Sequence, residues 1–210
     1  MNKSKNESRK SKIVSAFINL FILIFVFYVF FNFLLFFKCI VSFSKIPDNK
    51  SCEYLRIKIY GSSSSDEGNT VSASFSIIDS NGNEIAVIER SWKGNYLCVE
   101  FEKASYKYKS VMFPSRIYGK EKIYEENVKR HGTSLEKYYN DNGQCMLLGY
   151  GSSLAQRKAL YNICVIATKK YPFYDFAISR NILIDLSMCK NDVYYSIIQN
   201  SRGELELQEL

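Results

Sequence analysis

From Ile13 to Phe37 the chain runs for 25 residues without a charged side chain, and nine of them are phenylalanine. As a helix rising 1.5 Å per residue, such a run spans roughly 37 Å, enough to cross a hydrocarbon layer of about 30 Å with some tilt. Its polar members are Ser15, Asn19, Tyr28 and Asn32, too few to form the polar face of an amphipathic surface helix. The run therefore predicts a transmembrane helix over 13–37, in contact with membrane lipid. A cleaved signal peptide would share the basic start, and Ser42 and Ser44 stand at a cleavage-like spacing. Its apolar stretch, however, is usually only about 7–15 residues long, and Lys38 interrupts the approach to that site. A lipoprotein signal centred on Cys39 fits less well still, because Phe37 and Lys38 occupy positions where small residues are needed.

The flanking charges predict an orientation. Lys3, Lys5, Arg9, Lys10 and Lys12 precede the run, and Lys38, Lys45 and Lys50 follow it. Positive residues are retained on the cytoplasmic side. The expected arrangement is a cytoplasmic tail over 1–12, a single pass through the cell membrane, a juxtamembrane linker over 38–52 broken by Pro47, Asp48 and Asn49, and an extracytoplasmic domain over 53–210. The run has no Gly-x-x-x-Gly motif, so it carries no helix-packing signature for dimerisation.

The net charge of +7 invites a nucleic-acid reading, but its distribution argues against one. Residues 1–50 hold eight Lys and Arg against two acids, a surplus of six that leaves only +1 for residues 51–210. A near-neutral domain creates no strong field toward phosphate, and no nucleic-acid partner is expected. The local basic residues Lys103, Lys107 and Lys109 read as a solvated strand or loop face.

Beyond the linker the pattern is one of strands. Leu55, Ile57 and Ile59 alternate with Arg56, Lys58 and Tyr60, which gives one buried and one wet face. Gly61–Thr70 reads as a flexible loop. Val71, Ala73, Phe75 and Ile77 then alternate with serines. Asp79-Ser80-Asn81-Gly82-Asn83 predicts a tight hairpin, because Asn-Gly accepts the positive φ that such turns need. Strands are expected over 84–92, through Leu97, Val99 and Phe101, and over 106–113 up to Pro114, as an antiparallel meander of four or five strands. Short helices are expected over 120–130 and 134–140. The strongest helix is Leu154–Lys169, capped by Ser153, complemented at its negative end by Lys169 and Lys170, and stopped by Pro172. Strands over 182–189, 193–199 and 204–210 close the chain, with a turn at Asn200–Gly203. The predicted class is α+β: an N-terminal transmembrane helix, then a mostly antiparallel β domain with one long packing helix.

Chemistry-bearing residues are sparse. His131 is the single histidine, which excludes multi-histidine metal sites and the H-E-x-x-H motif. A Cys145–His131–Asp141 constellation needs the imidazole within reach of the thiol, and Lys129-Arg130-His131-Gly132 reads instead as an exposed turn. Gly149-Tyr150-Gly151-Ser152-Ser153 opens the long helix, an arrangement that binds phosphate when the backbone N–H groups are free. Leu154 stands where the dinucleotide fingerprint needs its third glycine, and the Walker lysine is missing. Asp79–Glu84 superficially resembles a calcium loop, yet Glu84 and Arg90 occupy the positions that require glycine and a bidentate glutamate. The five cysteines after residue 50 contain no C-x-x-C pair. They read mainly as small buried hydrophobes. If an oxidising compartment bonds any of them, Cys52–Cys98 and Cys164–Cys189 are the expected pairs. Trp92 reads as a core anchor. Fifteen tyrosines follow residue 50, and neighbours such as Tyr106/Tyr108, Tyr138/Tyr139 and Tyr194/Tyr195 put some rings outward, as protein-contact surfaces do.

No catalytic, cofactor-binding or metal-binding residue is assigned on these grounds. The expected function is a non-enzymatic contact with an unidentified protein or envelope component by a membrane-anchored domain. The alternatives are a tethered enzyme whose carboxylates and lysines leave no linear signature, and an inward-facing regulatory domain.

Overall fold

The computed structural model describes residues 2–48, 51–66, 68–123, 132–168 and 179–210. The chain forms two compact units, Met1–Lys38 and Cys39–Leu210. Helix α1 (Asn2–Lys45) carries the apolar run, and its stretch Ser15–Lys45 is long and apolar enough to cross a membrane. Exposed apolar rings and branched chains lie all round it, from Phe17 to Phe37. The Asn32 amide donates to the Tyr28 carbonyl one turn back at 2.7 Å, which gives that polar group a partner within the helix, as an apolar surrounding demands. Residues 38–45, expected in a linker, are helical. Cys39, Ser42, Phe43 and Ile46 are buried in the second unit, and such burial is enough to hold helix where the sequence lacks a stop signal.

The second unit is built of layers, and its α+β, antiparallel character is as expected. Sheet A holds five strands in the order β11 (Leu205–Glu209), β10 (Tyr194–Gln199), β1 (Cys52–Ser65), β2 (Gly68–Ile78) and β3 (Glu84–Lys93). Sheet B holds β6 (Thr133–Ser134), β5 (Lys109–Lys120), β4 (Tyr96–Tyr106) and β9 (Ser179–Asp185). Two short strands, β7 (Asn140–Asp141) and β8 (Gln144–Cys145), form a separate pair. The sheets meet through Tyr54 of β1, whose ring packs edge-on against Phe101 of β4 at 6.2 Å. Its hydroxyl donates to Gln199 Oε1 at 2.9 Å and accepts the Met112 N–H at 3.3 Å. Trp92 of β3 is buried, lies edge-on to Phe75 at 5.4 Å, and donates from Nε1 to Thr133 Oγ1 at 3.1 Å. It is the core anchor its single occurrence suggests. Helix α3 (Leu154–Thr168) buries Ala159, Leu160, Ile163, Cys164, Ile166 and Ala167, with β4 among the strands it packs against. The short helix α2 (Glu136–Tyr139) packs against β5, where the Tyr139 hydroxyl donates to the Pro114 carbonyl at 2.9 Å. Helix α2 touches β3 of sheet A as well, so both sheets help enclose the core, while Tyr60, Val87 and Tyr194 are exposed on the outer face of sheet A.

Three expectations about strands are corrected. The strands do not form one meander: β1 and β2 are central to sheet A, β10 returns from the C-terminal region to pair with β1, and β4 and β5 belong to sheet B. The crossing lies at Lys93-Gly94-Asn95. Gly94 has φ 125° and its N–H bonds Asn69 O at 2.8 Å, while the Asn95 N–H bonds Lys120 O at 2.9 Å. The segment Gly61–Thr70 is not a loop for most of its length, since Ser62 to Ser65 pair with Val71 to Gly68 in an extended hairpin. Backbone pairing needs no apolar side chain, so a serine-rich composition does not exclude a ladder. Finally, Pro114 does not end a strand. It sits inside β5 at a bulge, where Phe101 opposes Pro114 and Glu100 opposes Arg116, a position where a missing N–H is tolerated.

The Asp79–Asn83 hairpin turn forms as expected, with Gly82 at φ 83°. Ser153 caps α3 in a reciprocal box: Gln156 N–H donates to Ser153 Oγ at 3.3 Å, and Ser153 N–H donates to Gln156 Oε1 at 2.9 Å. The helix expected over 120–130, the residues Lys169, Lys170 and Pro172, and His131 lie outside the described residues, apart from positions 120–123.

Candidate contact surface

The open face of sheet A follows from alternation. Val71, Ala73, Phe75 and Ile77 point into the core, so Ser72, Ser74 and Ser76 point out. Cross-strand register then builds two rungs. Tyr194, Lys58, Ser74 and Glu89 stand opposite one another across β10, β1, β2 and β3. Ser196, Arg56, Ser76 and Val87 form the next rung on the same strands. The Lys58 ammonium lies 5.3 Å from the Tyr194 ring centre and 5.5 Å from that of Tyr60, and pairs with Asp192 at 3.4 Å. Arg56 is aimed by a two-pronged pair with Glu53 at 2.8 and 3.2 Å, and Ser196 donates to the same carboxylate at 2.9 Å. The Tyr60 hydroxyl bonds the Glu89 carboxylate, which pushes its phenol pKa up. Of these residues Arg56, Lys58, Tyr60, Ser74, Ser76, Val87 and Tyr194, with Glu84 and Leu210, line a shallow groove of about 630 Å³. Tyr194 is 51% exposed, Val87 50% and Leu210 66%.

The loops that most resembled sites in the sequence serve to pack against each other. The Asp79 carboxylate accepts the Asn81 and Asn83 N–H groups, both at 2.8 Å, and the Asn83 side chain at 3.1 Å. Ser80 donates from its backbone to Leu147 O at 2.8 Å and from its hydroxyl to Leu148 O at 3.1 Å. A side chain on Gly149 would run into the Asp79 carboxylate and come 2.5 Å from Asn81 Nδ2. The glycine is thus required by the docked turn. The segment before it is a 3₁₀ turn, Met146–Leu148, not the strand that precedes a phosphate-binding loop. The Gly149, Ser152 and Ser153 N–H groups bond Met146 O, Gly149 O and Gln156 Oε1, and Arg157 Nη1 bonds Tyr150 O at 3.1 Å. Donors consumed in this way, beside a carboxylate, do not make an anion cradle. Among the described residues no group of three His, Cys, Asp or Glu side chains is placed to hold a metal.

The cysteines are free thiols, so neither Cys52–Cys98 nor Cys164–Cys189 is bonded. Register explains the first case, since Cys52 opposes Gln199 in sheet A whereas Cys98 lies in sheet B opposite Tyr118 and Asp185. Cys164 accepts from Asn140 Nδ2 at 3.3 Å in the core. Burial pushes the Cys145 thiol well up, and the neighbouring Cys164 adds to the effect. Burial also moves Cys164 to about 12 and Cys189 to about 11. A nucleophilic cysteine needs the opposite shift. Asp141, the other described member of the supposed triad, is exposed while Cys145 is buried.

Sequence reading missed one arrangement. Glu100 and Glu102 are only 5% and 4% exposed, and the Asn181 amide of β9 donates to both. The alternation that sent Val99 and Phe101 inward gives these acids the other face of β4, where solvent is excluded and Asn181 supplies their donor. Neither acid lines the groove on sheet A.

Comparison of the chain with family models, curated proteins and solved structures finds no match in any of the three.

Proposed function

We propose that the chain is a single-pass membrane protein whose residues 13–37 cross the bilayer, with a cytoplasmic tail over 1–12. Its sheet domain faces outward and makes a non-enzymatic contact with another protein. The observation that carries this reading is the outer face of sheet A: tyrosine rings and an arginine set among serines on a rigid floor. Tyrosine supplies contact area at low entropic cost, and serine supplies adaptable hydrogen bonds. Tyrosine and arginine also dominate the strongest positions of protein interfaces. The high thiol pKa values and the internally satisfied loops give no competing support to nucleophilic or phosphate chemistry. The Glu100–Glu102 pair is the feature that favours the enzyme alternative, and its shared bond to Asn181 is what a buried structural pair needs.

The test is photocrosslinking in the native membrane. A photoreactive amino acid at Val87 or Tyr194 is expected to give a discrete crosslinked species, and the same residue at Glu136 of α2, outside the groove, is expected to give none. Equal yields from both sides, or none from Val87 and Tyr194, would rule out sheet A as the contact.

A further inference from the structure

We infer that the β4–β5 hairpin tip, Tyr106-Lys107-Tyr108-Lys109, rests in the lipid headgroup layer and seats the domain against the membrane surface. This rests on the reading of 13–37 as the span. The tip lies against the residues that leave the apolar run: Ile40, Phe43 and Ser44 line one groove of about 270 Å³ with all four tip residues. The rings of Phe43 and Tyr106 are 5.9 Å apart. The Lys109 ammonium donates to Ile46 O at 2.6 Å and pairs with Asp48 at 3.2 Å, which ties the tip to the chain just past the helix.

Ile40 is three residues beyond Phe37, so the chain can carry it at most about 11 Å from the end of the apolar run, whatever its conformation. The headgroup zone on each side of the hydrocarbon is itself roughly 5–8 Å thick. Ile40, and the tip residues that share its groove, are therefore held in or next to that zone. Their chemistry suits it. Tyr108 is 75% exposed, and Lys107 stands at the turn with φ 55°, its ammonium 5.6 Å from the Tyr106 ring. Tyrosine places an apolar ring and a hydroxyl across the interface, and lysine reaches lipid phosphate from an apolar stem. An aromatic and basic tip at the distal end of the domain would have no such neighbour. The Ser62–Ser65 hairpin end is the comparison, since it stands roughly 40 Å along the 14-residue β1 from Cys52 and does not line this groove.

The experiment uses the full chain in phosphatidylcholine vesicles, with a quencher on the lipid either near the glycerol backbone or at the acyl-chain end. Trp92, the single native tryptophan, is buried and gives the background. In Tyr108→Trp, the added fluorescence is expected to be quenched about two-fold or more by the shallow probe, and less by the deep one. Ser63→Trp is expected to show no quenching beyond background. Tyr108→Trp quenched no more than Ser63→Trp, in vesicles that retain the chain after carbonate washing, would overturn the seating and leave the span intact. Release of the chain by carbonate would overturn the span itself, and the seating with it.

Discussion

Gly119→Ala is expected to cost on the order of 3–5 kcal/mol, a large part of the roughly 5–15 kcal/mol that holds a domain folded. A Cβ at this position would fall deep inside the Lys93 carbonyl oxygen and 2.8 Å from the carbonyl carbon. Both are backbone atoms, so no rotamer change relieves the overlap. The facing glycine has the same relation to the other strand: a Cβ on Gly94 would meet Lys120 O at 2.7 Å and Lys120 N at 2.8 Å. The two glycines let the ends of β3 and β5 touch where the chain passes from sheet A to sheet B, and a methyl group there forces the layers apart. Gly151→Ala is the control, because its Cβ would meet nothing closer than Asn81 Nδ2 at 4.0 Å. That change should stay within about 0.5 kcal/mol of wild type. Urea denaturation in detergent, followed by circular dichroism, measures both. An equal midpoint for the two variants would contradict the corner assignment.

Trp92→Ala should be comparably damaging, at about 3–5 kcal/mol. The change removes the ring that packs edge-on to Phe75 at 5.4 Å and leaves Thr133 without the indole donor at 3.1 Å. Trp92→Phe keeps most of the packing and loses the hydrogen bond, so it should cost about 1–2 kcal/mol. The two losses are separable by pairing Trp92→Phe with Thr133→Val. If the hydrogen bond is the shared term, the double variant is less destabilised than the sum of the singles. A near-neutral Trp92→Ala would mean that this ring does not join the sheets.

The parts of the fold that were legible in the sequence are those fixed by local period or local turn chemistry. The alternation of Leu55, Ile57 and Ile59, the Asn81-Gly82 turn, and the Ser153 cap each depend on neighbours within a few residues. The parts that were not legible depend on distant partners. Nothing near Glu100 or Glu102 announces that they are buried, because the Asn181 that bonds both stands 81 and 79 positions away. Pro114 looks like a strand terminator until the bulge opposite Phe101 is known. The sequence also presents Gly149 as a possible phosphate loop, when its smallness is required by the Asp79 turn docked on it. The candidate contact surface was half legible. The outward tyrosines followed from adjacent pairs, whereas the rungs that join Tyr194 to Lys58 and Ser74 required β10 to be placed beside β1, a pairing across more than 130 residues.

The proposed tether and its direction underlie both the proposed contact surface and the proposed seating of the hairpin tip. They are tested most directly by labelling intact cells, or spheroplasts where an outer envelope intervenes, with a membrane-impermeant amine reagent and mapping the modified lysines by mass spectrometry. Lys93 and Lys190 are exposed on the domain, while Lys3, Lys5, Lys10 and Lys12 belong to the tail. The expected result is modification of Lys93 and Lys190 in intact cells, with the tail lysines modified only after lysis and the chain held in the pellet through an alkaline carbonate wash. Tail lysines modified in intact cells while Lys93 and Lys190 stay protected, or a chain released by carbonate, would contradict the account.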